Sequence, residues 1–397
     1  MSEANNETPE IDDEVITPVA EPEEMTDAEA SKSPLSDATA GVVDDDSADE
    51  DLLDGPVILG DSTDVLPVDP TLPPHGPQGR AGMVTIIGQP NVGKSTLMNA
   101  LLGEKLAIMS PKPQTTRDQI RGIYTVKDTQ IVFVDTPGIH EARSPLNRAM
   151  VGQAIEALEQ VDLVVVVIDV EKVRNGWRKT GKDPSKGVAP PRDAEEAEHR
   201  IHRRDRKLLR RVRHHTDKFL FVLNKIDNVR KTQLLPIMAT YAAVDGCIGV
   251  VPVSALNGDG LSQLVDAIRP YLPVGPRVYD AEMLTDRTLR FLCAELLREQ
   301  VFHKTKQEVP YGVAVQIEVF EEHPKVTHIQ AVVWVERASQ RGILLGKRGA
   351  MMKELATGAR ASMELMLDQR VYLEVLVRVE PRWSERLETL RRLGYEG

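Results

Sequence analysis

Gly88-Gln89-Pro90-Asn91-Val92-Gly93-Lys94-Ser95 decides how the rest of this chain is read. It fits the spacing GxxxxGK[ST] at every fixed position. Before it stands Met83-Val84-Thr85-Ile86-Ile87, a short buried-strand pattern, and after it a helical run over residues 94–102. Strand, glycine-rich loop and helix is the context the spacing needs. The chemistry explains the residue types. Glycines let the backbone approach a phosphate, and the amides of the loop and of the helix N-terminus point at it. The Lys94 ammonium would bridge β- and γ-oxygens, and the Ser95 hydroxyl would reach Mg²⁺.

The neighbouring segments extend this reading. Ile131-Val132-Phe133-Val134 ends in Asp135-Thr136-Pro137-Gly138, which puts a carboxylate at the C-terminal end of a strand, where open α/β sheets bind ligands. Asp135 would hold Mg²⁺ through water, and Gly138 can offer its amide to a γ-phosphate. Phe219-Leu220-Phe221-Val222-Leu223 ends in Asn224-Lys225-Ile226-Asp227. A carboxylate at Asp227 can accept from guanine N1–H and the 2-amino group, donors that adenine lacks there. Ser254-Ala255, after the run at 248–253, would close over guanine O6 through a backbone amide. Between the first two motifs lies Pro113-Gln114-Thr115-Thr116-Arg117-Asp118. A threonine of this loop, Thr116 by preference and otherwise Thr115, would complete Mg²⁺ coordination only while the γ-phosphate is present, making 114–118 an order–disorder switch. Taken in this order, the motifs predict a GTPase; a P-loop kinase or ATPase would lack Asn224–Asp227.

The strand-like runs at 83–87, 131–134, 163–168, 219–223 and 248–253 are apolar at nearly every position. That suits strands covered on both faces, hence a doubly wound, mostly parallel α/β sheet over about 81–275, with helices near 145–160, 200–213, 231–243 and 259–270. Residues 171–200 exceed what one crossover needs and are rich in Lys, Arg, Gly and Pro. They read as a basic surface insertion.

Charge divides the chain. Residues 1–80 carry 22 acids against two bases, a net of −20, which leaves 39 acids and 47 bases, a net of +8, in the remainder. The first segment lacks periodic aliphatics and is predicted to be a disordered acidic tail. The net of −12 for the whole therefore does not exclude an RNA partner. Two cysteines, Cys247 and Cys293, are too few for a disulfide framework or a zinc site. The longest apolar run, 161–170, is too short to span a bilayer. A cytoplasmic protein is expected.

After Pro270, Pro273 and Pro276 the pattern changes to a smaller α+β unit over 276–397, core about 300–380, in the order α-β-β-α-α-β, its first helix expected over 282–301. Ile343-Leu344-Leu345-Gly346-Lys347-Arg348-Gly349-Ala350 places GXXG between two helices, the KH pattern, whose loop clamps about four nucleotides of single-stranded RNA. Gly346 and Gly349 would let a sugar-phosphate backbone pass close, Lys347 and Arg348 add charge, and Ile343 and Leu344 would floor a groove for bases.

With GQPNVGKS, PQTTR, DTPG, NKID and VSA followed by this unit, residues 81–397 resemble the Era family of bacterial GTPases. The resemblance implies a P-loop GTPase domain followed by a type II KH domain, and slow intrinsic GTP hydrolysis. It implies binding of the 3′ end of small-subunit (16S) ribosomal RNA and a role in small-subunit assembly, by a monomer. Ile139 stands where many GTPases carry a water-orienting glutamine, so the resemblance implies another arrangement, often with K⁺, for which Asn91 would be the ligand. Two other functions fit the same motifs: a membrane-associated cell-cycle GTPase with secondary RNA binding, and a nucleotide-gated RNA scaffold. The amphipathic segment 383–393 is expected to dock on the KH unit rather than on the inner face of the membrane. The tail and the insertion depart from the compact family form.

Overall fold

The computed structural model describes residues 79–109, 112, 116–136, 145–180, 190–306 and 308–395. The acidic tail, Gln114 and Thr115 of the switch, Pro137, Gly138, Ile139 and the middle of the basic insertion lie outside the described residues.

The first unit contains β1 (Arg80–Gly88), α1 (Lys94–Leu102), β2 (Ile120–Val126), β3 (Thr129–Asp135), α2 (Pro145–Glu159), β4 (Leu163–Asp169) and α3 (Val170–Thr180). It continues with α4 (Ala194–Arg200), α5 (Arg203–Val212), β5 (Phe219–Asn224), α6 (Lys231–Ala242), β6 (Cys247–Val253) and α7 (Leu261–Ile268). The six strands run in the order β2-β3-β1-β4-β5-β6. β2 pairs antiparallel with β3, and the other pairings are parallel. Every residue of β3, β4 and β5 is buried. This follows from their all-apolar runs, which only a sheet covered on both faces can hide. On one face Leu97, Met98 and Leu101 of α1 and Leu264 and Ile268 of α7 form the core. On the other, Ala154, Val173, Leu208, Leu209 and Ile237 cover it from α2, α3, α5 and α6. Parallel strands share one C-terminal edge, and Gly88, Asp135, Asp169, Asn224 and Val253 all end there.

The second unit contains α8 (Leu289–Lys304), β7 (Val313–Glu322), β8 (Val326–Val335), α9 (Ala338–Leu345), α10 (Ala350–Leu367), β9 (Arg370–Val379) and α11 (Leu387–Arg392). Its sheet runs β7-β8-β9, with β8 antiparallel to β7 and parallel to β9. Leu297 and Val301 of α8 and Leu355 and Ala359 of α10 pack on one sheet face against Val313, Ile329 and Val333. The expected α-β-β-α-α-β order holds.

Three expectations need correction. The basic insertion is not only a loop. α3 buries Val170, Val173 and Trp177, spaced three and four apart, in the core of the first unit, and Ala197 and Ile201 join them from α4 and its end. Asp193 caps α4 by accepting from Glu196 N at 2.8 Å. The helix expected from 282 begins only at Leu289, where the Thr288 hydroxyl accepts from Phe291 N. The preceding residues lie along the first unit instead. Ile123 N donates to Leu284 O at 2.8 Å, and the Gln130 side chain accepts from Val278 N and Tyr279 N and donates to Tyr279 O. The linker thus covers part of the free edge of β2. Segment 383–393 docks on both units. Trp383 and Leu390 are buried with Leu146 and Met150 of α2 and Ala314 of β7, and the Trp383 indole N–H donates to Gly312 O at 2.9 Å.

Candidate functional site

The loop after β1 is shaped by backbone conformation. Asn91 (φ 61°) and Gly93 (φ 94°) are both left-handed, with Val92 between them. Alternation of this kind turns successive amides into one concavity, an anion nest. A Cβ at Gly93 would come within 2.4 Å of Asn224 Nδ2, and one at Gly88 within 2.7 Å of Val167 O, so neither glycine is replaceable without movement. α1 begins directly after the nest, adding the positive end of its dipole. Lys94 is 9% exposed, its Nζ 3.4 Å from Gly88 O. Burial lowers the pKa of its ammonium, and the Asp135 carboxylate opposes that shift.

At the end of β3, Asp135 Oδ2 accepts from Ser95 Oγ at 2.7 Å and from Thr116 Oγ1 at 3.1 Å, and the two hydroxyls are 3.1 Å apart. The three oxygens expected to surround Mg²⁺ therefore meet at one point. Asp135 Oδ1 is buried and has no hydrogen-bond partner among the described residues. Burial pushes the Asp135 carboxyl above the usual range; Lys94 and the two hydroxyls pull it back. A hard dication fits this donor set: it would satisfy the unpartnered oxygen and stabilise the ionised carboxylate. Thr136 is buried, its hydroxyl donating to Ile86 O at 3.3 Å. Of the two candidate threonines, Thr116 reaches the metal corner; Thr115 lies outside the described residues.

Asn224 joins three segments. Its Nδ2 donates to Val92 O at 2.8 Å, and its Oδ1 accepts from Ala255 N at 3.0 Å and Lys225 N at 2.8 Å. Lys225 is left-handed (φ 67°) and donates through Nζ to Asn91 O at 3.0 Å and Asp169 Oδ2 at 2.8 Å. Asp227 follows Ile226 at the surface and accepts from Ser254 Oγ at 2.6 Å, which presets its carboxylate beside Ala255. The loops at 88–94, 224–227 and 254–255 are thus one bonded assembly. Gln89 donates to Arg204 O at 2.8 Å, and Lys172 Nζ lies 3.3 Å from Pro90 O, so α3 and α5 rim the site. Asp169 and Lys172 were not singled out from the sequence. Asp169 ends its strand as Asp135 does, and it caps α3 by accepting from Glu171 N and Lys172 N at 3.0 and 3.1 Å.

The switch residues beyond Thr116 enter the second unit. Arg117 is 2% exposed. Its guanidinium donates to Val313 O at 2.5 Å, Tyr311 O at 2.8 Å and Pro310 O at 3.1 Å, and lies 5.7 Å from the centre of the Trp383 ring. Burial and the Glu295 carboxylate push Asp118 up to about 6, against the pull of Arg298, Arg287 and Arg117. Glu295 in turn holds Arg298 through a two-pronged pair at 2.6 Å.

In the GXXG loop Gly346 (φ 68°), Arg348 (φ 54°) and Gly349 (φ 76°) take left-handed or mirror conformations that carry the chain from α9 into α10. A Cβ on Gly346 would lie 2.7 Å from Met351 Cβ, whereas one on Gly349 meets nothing within 4 Å. Lys347, Arg348 and Ile343 are exposed beside it. Leu344 is not available to a base: it is fully buried in the core of the second unit, because one step along α9 turns it inward. Beside α10 lies a shallow depression lined by Ala356, Thr357, Arg360, Tyr372 and Leu373. Arg360 and Tyr372 were not found from the sequence, where only the loop between the helices is diagnostic.

Residues 83–225 match the family described as 50S ribosome-binding GTPase, and residues 308–384 match the KH domain family. Over 320 residues the chain is 42% identical to the GTPase Era of Geotalea uraniireducens (strain Rf4), covering 80% of this chain and 99% of that protein. It is 40% identical over 320 residues to GTPase Era of Leuconostoc citreum (strain KM20), covering 80% of this chain and 96% of that one. Among solved structures, a variant of Aquifex aeolicus Era bound to GDP·AlF₄⁻ superposes with a TM-score of 0.70 at 35% identity, covering 80% of this chain and all of that chain. Era in complex with MgGDPNP and nucleotides 1506–1542 of 16S ribosomal RNA gives 0.69 at 34% identity, with the same coverage.

Proposed function

Because the chain belongs to the Era family of GTPases, we propose that it is a GTP-hydrolysing switch that binds the 3′ end of 16S ribosomal RNA through its KH domain and assists small-subunit assembly. The GTPase unit spans 81–275 and the KH unit 276–397, preceded by the acidic tail 1–80. The observation that carries this reading is a pair of neighbours: Thr116 stands at the metal corner of the nucleotide site, and Arg117, next in the chain, is bonded into the entry to β7 of the KH unit. Whatever fixes Thr116 therefore fixes a contact between the units.

The residues divide the work. The amides of 89–94 and the Lys94 ammonium hold the β- and γ-phosphates. Ser95, Thr116 and Asp135 would hold Mg²⁺, which would supply positive charge where the phosphate oxygens gather negative charge during hydrolysis. Asp227 selects guanine, Ala255 N–H completes the base pocket, and Asn224 keeps both aligned with Val92. Asn91 would be the K⁺ ligand in the phosphate loop, which suits a chain with Ile139 where a water-orienting side chain would stand. Loss of the γ-phosphate frees Thr116 and loosens Arg117, and the KH unit then releases its RNA. Lys347, Arg348, Gly346 and Gly349 clamp the RNA backbone, and bases lie along the exposed surface beside the loop.

The protein works in the cytoplasm. No helix of the described residues is long and apolar enough to cross a membrane, and the apolar side of 383–393 is occupied by Leu146 and Met150. The deciding experiment is crosslinking in cells followed by sequencing of bound RNA, with filter binding of a 16S 3′-end oligonucleotide in GTP analogue and in GDP. Enrichment of that end and tighter binding in the analogue are expected. Crosslinks spread over unrelated RNA, or equal binding in both nucleotides, would overturn the proposal.

A further inference from the structure

Residues 200–215 contain eight Arg and Lys and a single acid, Asp205. That acid faces inward: it is buried and accepts from the Tyr241 hydroxyl at 3.0 Å. Leu208, Leu209 and Val212 fill the rest of the inner side of α5. The outer side is left to Arg203, Lys207 and Arg210, all exposed. Spacings of four and three put them on one helical face. At 1.5 Å per residue they rise about 6 and 4.5 Å apart along the helix axis. Local acids are spent elsewhere: Glu196 pairs with Arg200, and Glu198 with Arg213 at 2.5 Å. Among the described residues Arg203 and Arg210 form no ion pair. The Trp177 indole N–H donates to Arg200 O at 2.9 Å, which ties the end of α3, with exposed Arg178 and Lys179, to the start of α5.

We propose that this face of α5 is a second RNA surface, which binds the sugar-phosphate backbone of a double-stranded segment. The row holds cations at intervals suited to consecutive phosphates and carries no aromatic ring on which a free base could stack, so it reads backbone, not sequence. RNA is the polyanion chosen because the KH unit already holds RNA on the same chain, which raises the local concentration of any adjoining duplex. In that choice the inference rests on the KH reading. Gln89 bonded to Arg204 O places the duplex at the rim of the nucleotide site.

The test uses the full chain and two labelled RNAs: a blunt 20-base-pair duplex of unrelated sequence, with no single-stranded end for the GXXG loop, and a single-stranded 16S 3′-end oligonucleotide. The double variant Arg203→Glu, Arg210→Glu alters exposed side chains and should melt as the parent does. It should lose roughly tenfold or more in duplex affinity, and its log–log salt slope should fall by about two, one per phosphate contact. Its affinity for the single strand should stay within about threefold. Gly349→Asp should give the reverse pattern, so failure of the KH reading shows in the single-strand arm and leaves the duplex arm interpretable. Duplex affinity unchanged in the double variant overturns the proposal. So does parent protein that ignores the duplex but binds phosphatidylglycerol vesicles, or a duplex signal competed away fully by a peptide of residues 1–78 at equimolar concentration.

Discussion

Arg117→Ala should uncouple the two units. In the structure this guanidinium donates to three main-chain carbonyls, at 2.5, 2.8 and 3.1 Å, and lies over Trp383 at 5.7 Å. Bonds from a charged donor contribute about 1.5–3 kcal/mol each, and a buried carbonyl left unpaired costs about 1–3 kcal/mol. Water entering the truncated site would recover part of this, so a net loss of about 3–5 kcal/mol from the contact between the units is expected. A typical coupling between two sites is about 1–3 kcal/mol, or 5–150-fold in affinity. The loss exceeds that, so the coupling should collapse. Fluorescence anisotropy of a labelled 16S 3′-end oligonucleotide, in GTP analogue and in GDP, reads it directly. The parent should show the nucleotide-dependent difference, and Arg117→Ala should bind equally in both. Arg117→Lys should not rescue it, because an ammonium cannot fan out to three carbonyls as a planar guanidinium does. If Arg117→Ala keeps the parent's full difference, the path through this residue is wrong.

Lys94→Ala should weaken GTP by roughly 10–150-fold in calorimetry, one charge-assisted bond's worth of about 1.5–3 kcal/mol, with a melt no lower than the parent's since a buried ammonium is removed. GTP hydrolysis should run faster in potassium than in sodium at equal ionic strength, and Asn91→Ala should erase most of the difference; equal rates in both salts contradict the cation reading. Gly349→Asp should abolish single-stranded RNA binding in gel shifts while GTP hydrolysis by the free protein stays near the parent rate. The space around Gly349 is open but its φ of 76° strains any side chain, so a thermal melt near the parent's is the control that assigns the loss to the carboxylate. Asp118→Asn tests the raised carboxyl near 6. Such a group weakens the fold above its folded pKa and not below its unfolded one, so the variant should gain about 1–2 kcal/mol at pH 7.5, after discount for partial exposure, and less at pH 5. A gain that grows on acidification would reverse the sign of the argument.

Legibility in the sequence followed burial. β3, β4 and β5 are covered on both faces, so each spells an unbroken apolar run and could be read directly. β2 sits at the sheet edge, and Arg121, Tyr124 and Thr125 interrupt its pattern; only its pairing with β3 makes it a strand. α3 was obscured because exposed Lys172, Arg178 and Lys179 outweigh Val170, Val173 and Trp177 in any reading by composition. The motifs that meet at the strand ends could be read because each keeps a fixed spacing within its own loop. Arg117 was legible as part of a switch, but its carbonyl partners lie over 190 positions away, and no local pattern points to them. Leu344 was misassigned for a related reason: adjacency to GXXG says nothing about which way α9 faces.

The placement of the linker sharpens what the switch must do. Residues 278–287 are not a free hinge, since Gln130 and the backbone of Ile123 hold them to the rigid sheet, and Arg287 donates to Gln119 O from the same stretch. A signal from the γ-phosphate cannot pass through β3 and that linker without distorting strands buried at every position, which a packed interior resists. The loop at 116–118 lies outside the strands and is held by side-chain bonds that can break, those of Thr116 and Arg117. Consecutive Cα atoms lie about 3.8 Å apart, so a Thr116 that leaves the metal corner drags Arg117 with it. Three carbonyls at the entry to β7 then lose their donor together. Lys105 and Met109, bonded to Glu299 of α8 at 2.5 and 3.0 Å, keep the KH unit tethered on its other side. Losing the Arg117 contacts while these bonds, and the packing of Trp383 and Leu390 on Leu146 and Met150, persist permits a limited shift of the KH unit and not free separation. Such a motion can open or close an RNA surface while the chain stays in one piece, which is what a switch that must release its RNA and bind again requires.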